Sequence, residues 1–261
     1  MSALAEATPD AYFADLRLAA LYDLFCADRA DFDFYLPYVM AAPSVLDVGC
    51  GTGALLRMAR AKGHTGRLCG LDPAAGMLEQ ARIRDDIEWV QGTLSSARWK
   101  NEFDLVVMTG HAFQVLLRDE EILHTLAAVR TVLKPGGRFA FETRNPVVRA
   151  WERWDGAYRG TVEGPDGCVT MNTRLDAPMH DECVTFTHIF ECPAWSAAKT
   201  STSTLRFIGA ETLTRVLDES GFAIEERYGD WDRQSFEAAS PEIIVIARRN
   251  GGQVATGKMK K

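Results

Sequence analysis

The chain has 261 residues, 47% hydrophobic and 25% charged, which excludes a disordered chain, a collagen and a small disulfide scaffold. Its 36 acidic and 29 basic residues give a net charge of −7, and five of the basic ones fall in the last fourteen positions. The acidic body therefore repels a phosphate backbone, so nucleic acid is not an expected partner.

Residues 11–40 read as two helical segments, with Pro37 disturbing the end of the second. The period then changes. Ser44–Val48 is a short β-rich run that ends in Gly49, Gly51 and Gly53, and a helix over 54–61 is stopped by Lys62-Gly63. Strands over 67–72, 87–91 and 103–108 alternate with helices over 74–82 and 120–133. Lys134-Pro135-Gly136-Gly137 ends the last of these before a strand over 138–143. Such repeated units predict a parallel sheet covered on both faces.

Residues 156–208 break that rhythm. Val169, Met171, Thr173 and Leu175 alternate with polar neighbours, as do Val184, Phe186, His188 and Phe190, and then Ser201, Ser203, Leu205 and Phe207. They predict an antiparallel meander inserted into the α/β body. A helix over 211–220 and strands over 222–228 and 243–248 follow, then a flexible basic tail over 249–261. No apolar run approaches the ~20 residues that cross a bilayer. The N-terminus lacks a secretory signal, and six cysteines without CxxC spacing suit free thiols in a reducing cytoplasm.

The stretch Val45–Gly53, VLDVGCGTG, carries the chemistry. Glycines at 49, 51 and 53 follow a strand and open a helix, where backbone N–H groups approach a ligand closely. The spacing is GxGxG rather than the GxGxxG of a pyrophosphate cradle. Asp47 beside the turn would repel a pyrophosphate and suits a cationic, amino-acid-like ligand. Asp72, at the end of the next strand, can accept both hydrogen bonds of a ribose diol.

With these features the chain resembles the class I S-adenosylmethionine (SAM)-dependent methyltransferases. The glycine motif matches Val45–Gly53, the ribose-binding acid Asp72, the fourth-strand motif Phe103–Met108, and the LKPGG segment Leu133–Gly137. The resemblance implies an α/β fold with a doubly wound, seven-stranded, mostly parallel sheet whose last strand, 243–248, is antiparallel. It implies SAM as cofactor, with Asp47, Gly49, Cys50, Gly51 and Gly53 against its methionine part. Gly92, Thr93, Leu94 and Thr109 join the cofactor set, although Thr93 stands where the family often has an acid for the adenine. The chain divides into an N-terminal helical segment over the cofactor site (1–40), a SAM-binding core (41–155), a lid insertion (156–208), the rest of the core (209–248) and the tail (249–261).

The acceptor is expected outside the carboxyl ends of the strands. His111, just past the fourth strand, is the candidate general base, with cofactor or substrate contact as the alternative. Phe113, Trp151, His188 and Trp231 are candidate substrate contacts, and Tyr22 can reach over the cofactor. His64 and His124 look like surface positions. No grouping has metal-ligand spacing, so no metal is expected. The meander, inserted late in the α/β order, is not expected to be needed for the cofactor site. The expected function is methyl transfer to a small-molecule acceptor by a cytoplasmic monomer or homodimer, with no membrane partner. Alternatives are a methyltransferase for peptide or protein side chains, a SAM-binding protein without turnover, and a nucleotide-dependent oxidoreductase.

Overall fold

The computed structural model describes residues 8–251; positions 1–7 and 252–261, with most of the basic tail, lie outside the described residues. Four helices come first: α1 (Ala11–Ala14), α2 (Leu16–Ala19), α3 (Tyr22–Phe25) and α4 (Ala30–Ala41). The expected two segments are thus four. Pro37 lies inside α4, which continues to Ala41. Burial of Phe34, Tyr35, Leu36 and Val39 on the sheet offsets the roughly 3 kcal/mol that an interior proline costs.

The α/β body follows as β1 (Ser44–Val48), α5 (Ala54–Ala61), β2 (Arg67–Asp72), α6 (Ala75–Ala81), β3 (Glu88–Gln91), β4 (Phe103–Met108), α7 (Asp119–Val132) and β5 (Leu133–Arg144). The Lys134–Gly137 stretch ends the helix as expected but belongs to β5. It is accommodated as an irregularity, where register jumps from Phe103↔Leu133 to Leu105↔Arg138. Four further strands form a separate antiparallel sheet: β6 (Ala157–Gly164), β7 (Gly167–Leu175), β8 (Cys183–Glu191) and β9 (Lys199–Arg206). β6 is one strand more than the alternation predicts. A register shift before Gly160 interrupts its period. The chain closes with α8 (Ala210–Glu219), β10 (Phe222–Tyr228) and β11 (Glu242–Arg249).

The large sheet has the order β10-β11-β5-β4-β1-β2-β3. Neighbours from β3 to β5 are parallel, and β11 is antiparallel to both β5 and β10. It is the doubly wound, seven-stranded sheet expected. One face packs on α4 and α5 through Tyr35, Val39, Leu55 and Leu56. The other packs on α7 and α8 through Leu126, Val129, Leu213 and Leu217. His64 is not at the surface: it is 5% exposed, with Nε2 2.8 Å from the Ala42 carbonyl. Among the described residues no helix is long and apolar enough to cross a membrane.

Candidate active site

The carboxyl ends of β1, β2, β4 and β5 converge on one crevice, where ligands of open α/β sheets sit. β1 leads into a turn with three left-handed glycines, at φ 73° for Gly49, 55° for Gly51 and 71° for Gly53. At Gly53 a Cβ would fall 2.2 Å from the Trp89 ring. At Gly51 it would meet nothing nearer than Met77 Sδ at 4.0 Å, so this part of the turn keeps an open face.

Asp72 closes β2 beside the turn. One carboxylate oxygen accepts the Gly51 N–H and the other the Ala74 N–H, both at 2.8 Å. Each oxygen keeps a lone pair for a further donor. Burial raises the Asp72 pKa, and the two backbone donors oppose that rise.

Asp47 is 1% exposed, and its Oδ1 has no hydrogen-bond partner. Burial pushes its carboxyl up to about 8; Arg29 opposes the rise, and Asp72 and Glu142 add to it. A buried acceptor left without a donor costs about 1–3 kcal/mol. Arg29 forks onto Asp31 at 2.8 and 2.6 Å, which uses two of its five donors. Above the turn, Asp23 of α3 accepts the Thr52 hydroxyl at 2.6 Å and pairs with Arg57 at 2.7 Å. Tyr22 packs there on Tyr12, with ring centres 5.5 Å apart.

Past β4, Gly110 and His111 both have positive φ, 67° and 62°. A non-glycine residue in that region is strained and persists only when its surroundings hold it. Glu142 of β5 does so. One of its oxygens accepts the His111 backbone N–H and the other the Tyr35 hydroxyl, each at 2.5 Å. The His111 ring is held separately, with Nε2 3.0 Å from Oε2 of Glu242 at the start of β11. Burial pushes the imidazole down to about 3, with Arg144 adding to the fall, so it is neutral at physiological pH. Burial pushes Glu242 up to about 7 against the pull of Arg144.

The meander closes the other side. The Arg144 guanidinium lies 5.2 Å from the Trp154 ring centre, and Trp154 meets Phe186 at 5.1 Å. Phe186 meets His188 at 5.0 Å, and His188 meets Tyr12 at 5.8 Å. This arc of rings joins the end of β5 to the N-terminal helices. The arrangement offers a carboxylate to a cation, a second to a diol, and a neutral imidazole among acids to a proton.

A methyltransferase-domain family model matches residues 45–137, from β1 into β5. The chain is 31% identical over 157 residues to the 2-phytyl-1,4-naphtoquinone methyltransferase of Thermosynechococcus vestitus, covering 54% of this chain and 68% of that protein. It belongs to the class I SAM-dependent methyltransferases. It is also 26% identical over 217 residues to the cypemycin N-terminal methyltransferase of a Streptomyces species, covering 79% of this chain and 83% of that one. The CcbJ methyltransferase from Streptomyces caelestis shares the fold, with TM-score 0.72 and 19% identity over 90% of this chain and 99% of that one.

The methyltransferase brings Asp47, Gly49, Gly51, Gly53, Asp72 and Tyr22 to one place. The Gly92 N–H donates to the Asp72 carbonyl at 3.0 Å, which carries the Gly92–Leu94 turn alongside. Thr93 Oγ1 lies 2.6 Å from Ser95 Oγ, and the Leu94 side chain is in the core. Cys50 presents backbone to the turn, while its side chain packs on Leu78 and Ala81. Thr109 is buried at the end of β4. Trp231 packs beside His111, with ring centres 6.3 Å apart.

Two expected substrate contacts lie elsewhere. Phe113 is 1% exposed and packs on Phe141 at 4.4 Å, because the 3-10 turn Ala112–Val115 folds it under the sheet. Trp151 is 4% exposed and packs on Phe207 at 4.5 Å, where it anchors the meander. The charged and polar groups around His111 went unnoticed in the sequence: Arg29, Tyr35, Glu142, Arg144 and Glu242. A signal was present for two of them. Glu142 in RFAFETR and Glu242 in PEIIVIA are acids in otherwise apolar buried strands, which need a partner to be tolerated.

Proposed function

We propose that the methyltransferase binds SAM over the Gly49–Gly53 turn and methylates a small-molecule amine. The observation that carries the cofactor site is the orphaned Asp47 Oδ1. A buried carboxyl with an unpartnered oxygen fits an ammonium, against which it ionises, and offers nothing comparable to a pyrophosphate. In this reading Asp47 takes the amino group of the methionine part, Arg29 its carboxylate, and Asp72 the ribose diol. The backbone of Gly49–Gly53, with Cys50, lies against the methionine part. Gly92, Thr93, Leu94, Thr109 and Tyr22 frame the rest. Bound there, the cofactor supplies a methyl group on a cationic sulfur.

The acceptor side rests on charge. Around the end of β4 the acids Asp31, Glu142 and Glu242 outnumber Arg29 and Arg144, a balance that favours a cationic acceptor. A small amine arrives as its ammonium form. His111, kept neutral by burial, takes that proton on one ring nitrogen as its other ring proton passes to Glu242, whose carboxyl, at about 7, is the stronger base, and the amine lone pair then attacks the methyl carbon as the carbon–sulfur bond breaks. Trp231 and His188 bound the acceptor from two sides. The N-terminal methyltransferase among the relatives supports nitrogen as the accepting atom. All six cysteines are unpaired, which fits a cytoplasmic setting.

Calorimetric titration with SAM and with NAD tests the cofactor site. Micromolar-range SAM binding without NAD competition is expected, and NAD binding alone would overturn the reading. Transfer of labelled methyl groups to a panel of small amines, phenols and thiols tests the acceptor. Transfer to phenols alone would discard the amine.

A further inference from the structure

We propose that Glu242 is a positioning residue for His111, holding its imidazole as the Nε2–H tautomer so that Nδ1 is the atom that accepts the acceptor's proton. The inference rests on the reading of His111 as proton acceptor. It begins from two independent anchors. Glu142 holds the His111 backbone, and Glu242 holds the ring at 3.0 Å. The two acids come from paired strands, with Glu142 opposite Ile244 and Glu242 opposite Arg144. The left-handed His111 backbone and the ring contact together leave the imidazole little freedom to turn.

A 3.0 Å contact between a ring nitrogen and a carboxyl oxygen holds one proton between them. Either the carboxyl donates to Nε2, or Nε2–H donates to the carboxylate. In the first state the ring proton sits on Nδ1 and no basic nitrogen remains. In the second the basic lone pair is on Nδ1. The groups that face the pair decide between the states. Arg144 of β5 favours the carboxylate, while Asp230 of the β10–β11 loop and Asp31 of α4 oppose it. Glu142 and Arg29 act on the ring with opposite signs. Burial sets the balance near pH 7, so the Nε2–H state prevails above that pH. When an ammonium acceptor gives its proton to Nδ1, the Nε2 proton passes to Glu242, whose carboxyl, at about 7, is a stronger base than the buried imidazole, so the ring stays neutral. The acceptor loses one proton and Glu242 gains one, the ring exchanging its Nε2 proton for one on Nδ1.

The test is nitrogen-15 NMR of the imidazoles in the full chain, with and without S-adenosylhomocysteine, His111 being assigned by the resonance absent from His111→Ala. Above about pH 8 the His111 ring is expected as Nε2–H, shifting toward Nδ1–H on acidification with a midpoint near 7. In Glu242→Gln that step should vanish, and in Glu242→Leu the Nε2–H preference should be lost. Should the leucine variant fold poorly, the missing step in the isosteric glutamine variant still decides. A wild-type ring in the Nδ1–H form at pH 8 would overturn the inference, as would a step that persists in Glu242→Gln. Calorimetry separates the two readings. Failure of the wild-type chain to bind S-adenosylhomocysteine would overturn the cofactor site and leave the tautomer result standing.

Discussion

Asp72 accepts the Gly51 N–H at 2.8 Å, so the acid that closes β2 also holds the turn that follows β1. The contact ties two parts of the proposed cofactor site that are 21 residues apart in the chain. Asp72→Ala removes the charged acceptor proposed for the ribose diol and loosens the Gly51 turn at once. The expected loss of SAM affinity is about 1–3 kcal/mol, or roughly fivefold to 150-fold. The chain should still fold, with a lowered melting temperature, because the Gly51 and Ala74 N–H groups lose their acceptor. Titration calorimetry beside thermal unfolding checks both parts, and affinity unchanged within twofold would mean that the ribose lies elsewhere.

Asp47 links cofactor binding to pH. Its folded pKa of about 8 lies above the ordinary carboxylate value, so the free chain is most stable with Asp47 protonated. That contribution is fully present below about pH 4 and is lost as the pH rises through 8. An ammonium set against the carboxylate reverses the preference. SAM binding at pH 7 should therefore release close to one proton, and affinity should climb with pH up to about 8. Calorimetry in buffers of different ionisation heat reads the release directly. Asp47→Asn should abolish it, and uptake of a proton by the wild-type chain would contradict the assignment.

Gly53 tests the turn itself. Its φ of 71° strains any L side chain, and a Cβ would lie 2.2 Å from Trp89. The indole cannot simply retreat, because its Nε1 donates to the Arg84 carbonyl at 2.8 Å. Left-handed strain of about 1–2 kcal/mol and overpacking of about 1–3 kcal/mol act together in Gly53→Ala. Chemical denaturation should show a loss of at least ~2 kcal/mol by those terms. Gly63→Ala is the control. It shares a positive φ of 91°, yet nothing lies within 4 Å of its Cβ, so only the strain should appear. Equal losses in the two variants would rule out the Trp89 clash.

Sequence made the glycine turn and the acids beside it readable because their demands are local. A glycine at a left-handed turn and an acid at a strand end are dictated within a few residues, and Gly49, Gly51, Gly53, Asp47 and Asp72 meet as the spacing implies. The parallel sheet was readable for the same reason, since each strand–helix unit declares its own period. The cluster around His111 is non-local. Tyr35 and Glu142 are 107 residues apart and His111 and Glu242 131, so no spacing rule joins them. Phe113 and Trp151 show the converse error. An aromatic near a strand's carboxyl end looks available, but each turns into an apolar cluster that only the folded chain supplies.

The meander is expected to bear on cofactor binding as well as on the acceptor, which its late insertion alone does not suggest. The N-terminal helices that cover the turn are fastened to it. Tyr12 donates its backbone N–H to Ser201 Oγ at 2.8 Å, Ser203 donates to Asp10 at 2.5 Å, and Lys199 pairs with Asp15 at 2.6 Å. Leu18 and Leu21 pack with Met171 and Phe190 in one apolar cluster. The same helices carry Tyr22 and Asp23 over Thr52. Replacing residues 156–206 with a short Gly/Ser linker leaves all seven strands of the large sheet, so the shortened chain should still unfold cooperatively. Its helical cover, however, loses most of its apolar partners. SAM affinity should fall roughly tenfold, equivalent to about 1.4 kcal/mol. Methyl transfer should be lost, because the acceptor side is open to water. Titration calorimetry and a labelled-methyl assay on the shortened chain measure the two effects separately. Undiminished SAM affinity would show that α1–α3 dock through α6 alone, where the Phe13 and Ala14 carbonyls already press on Gly76. Loss of the cooperative transition would make the meander part of the folding core, and retained turnover would place the acceptor between His111 and Trp231 without help from the lid.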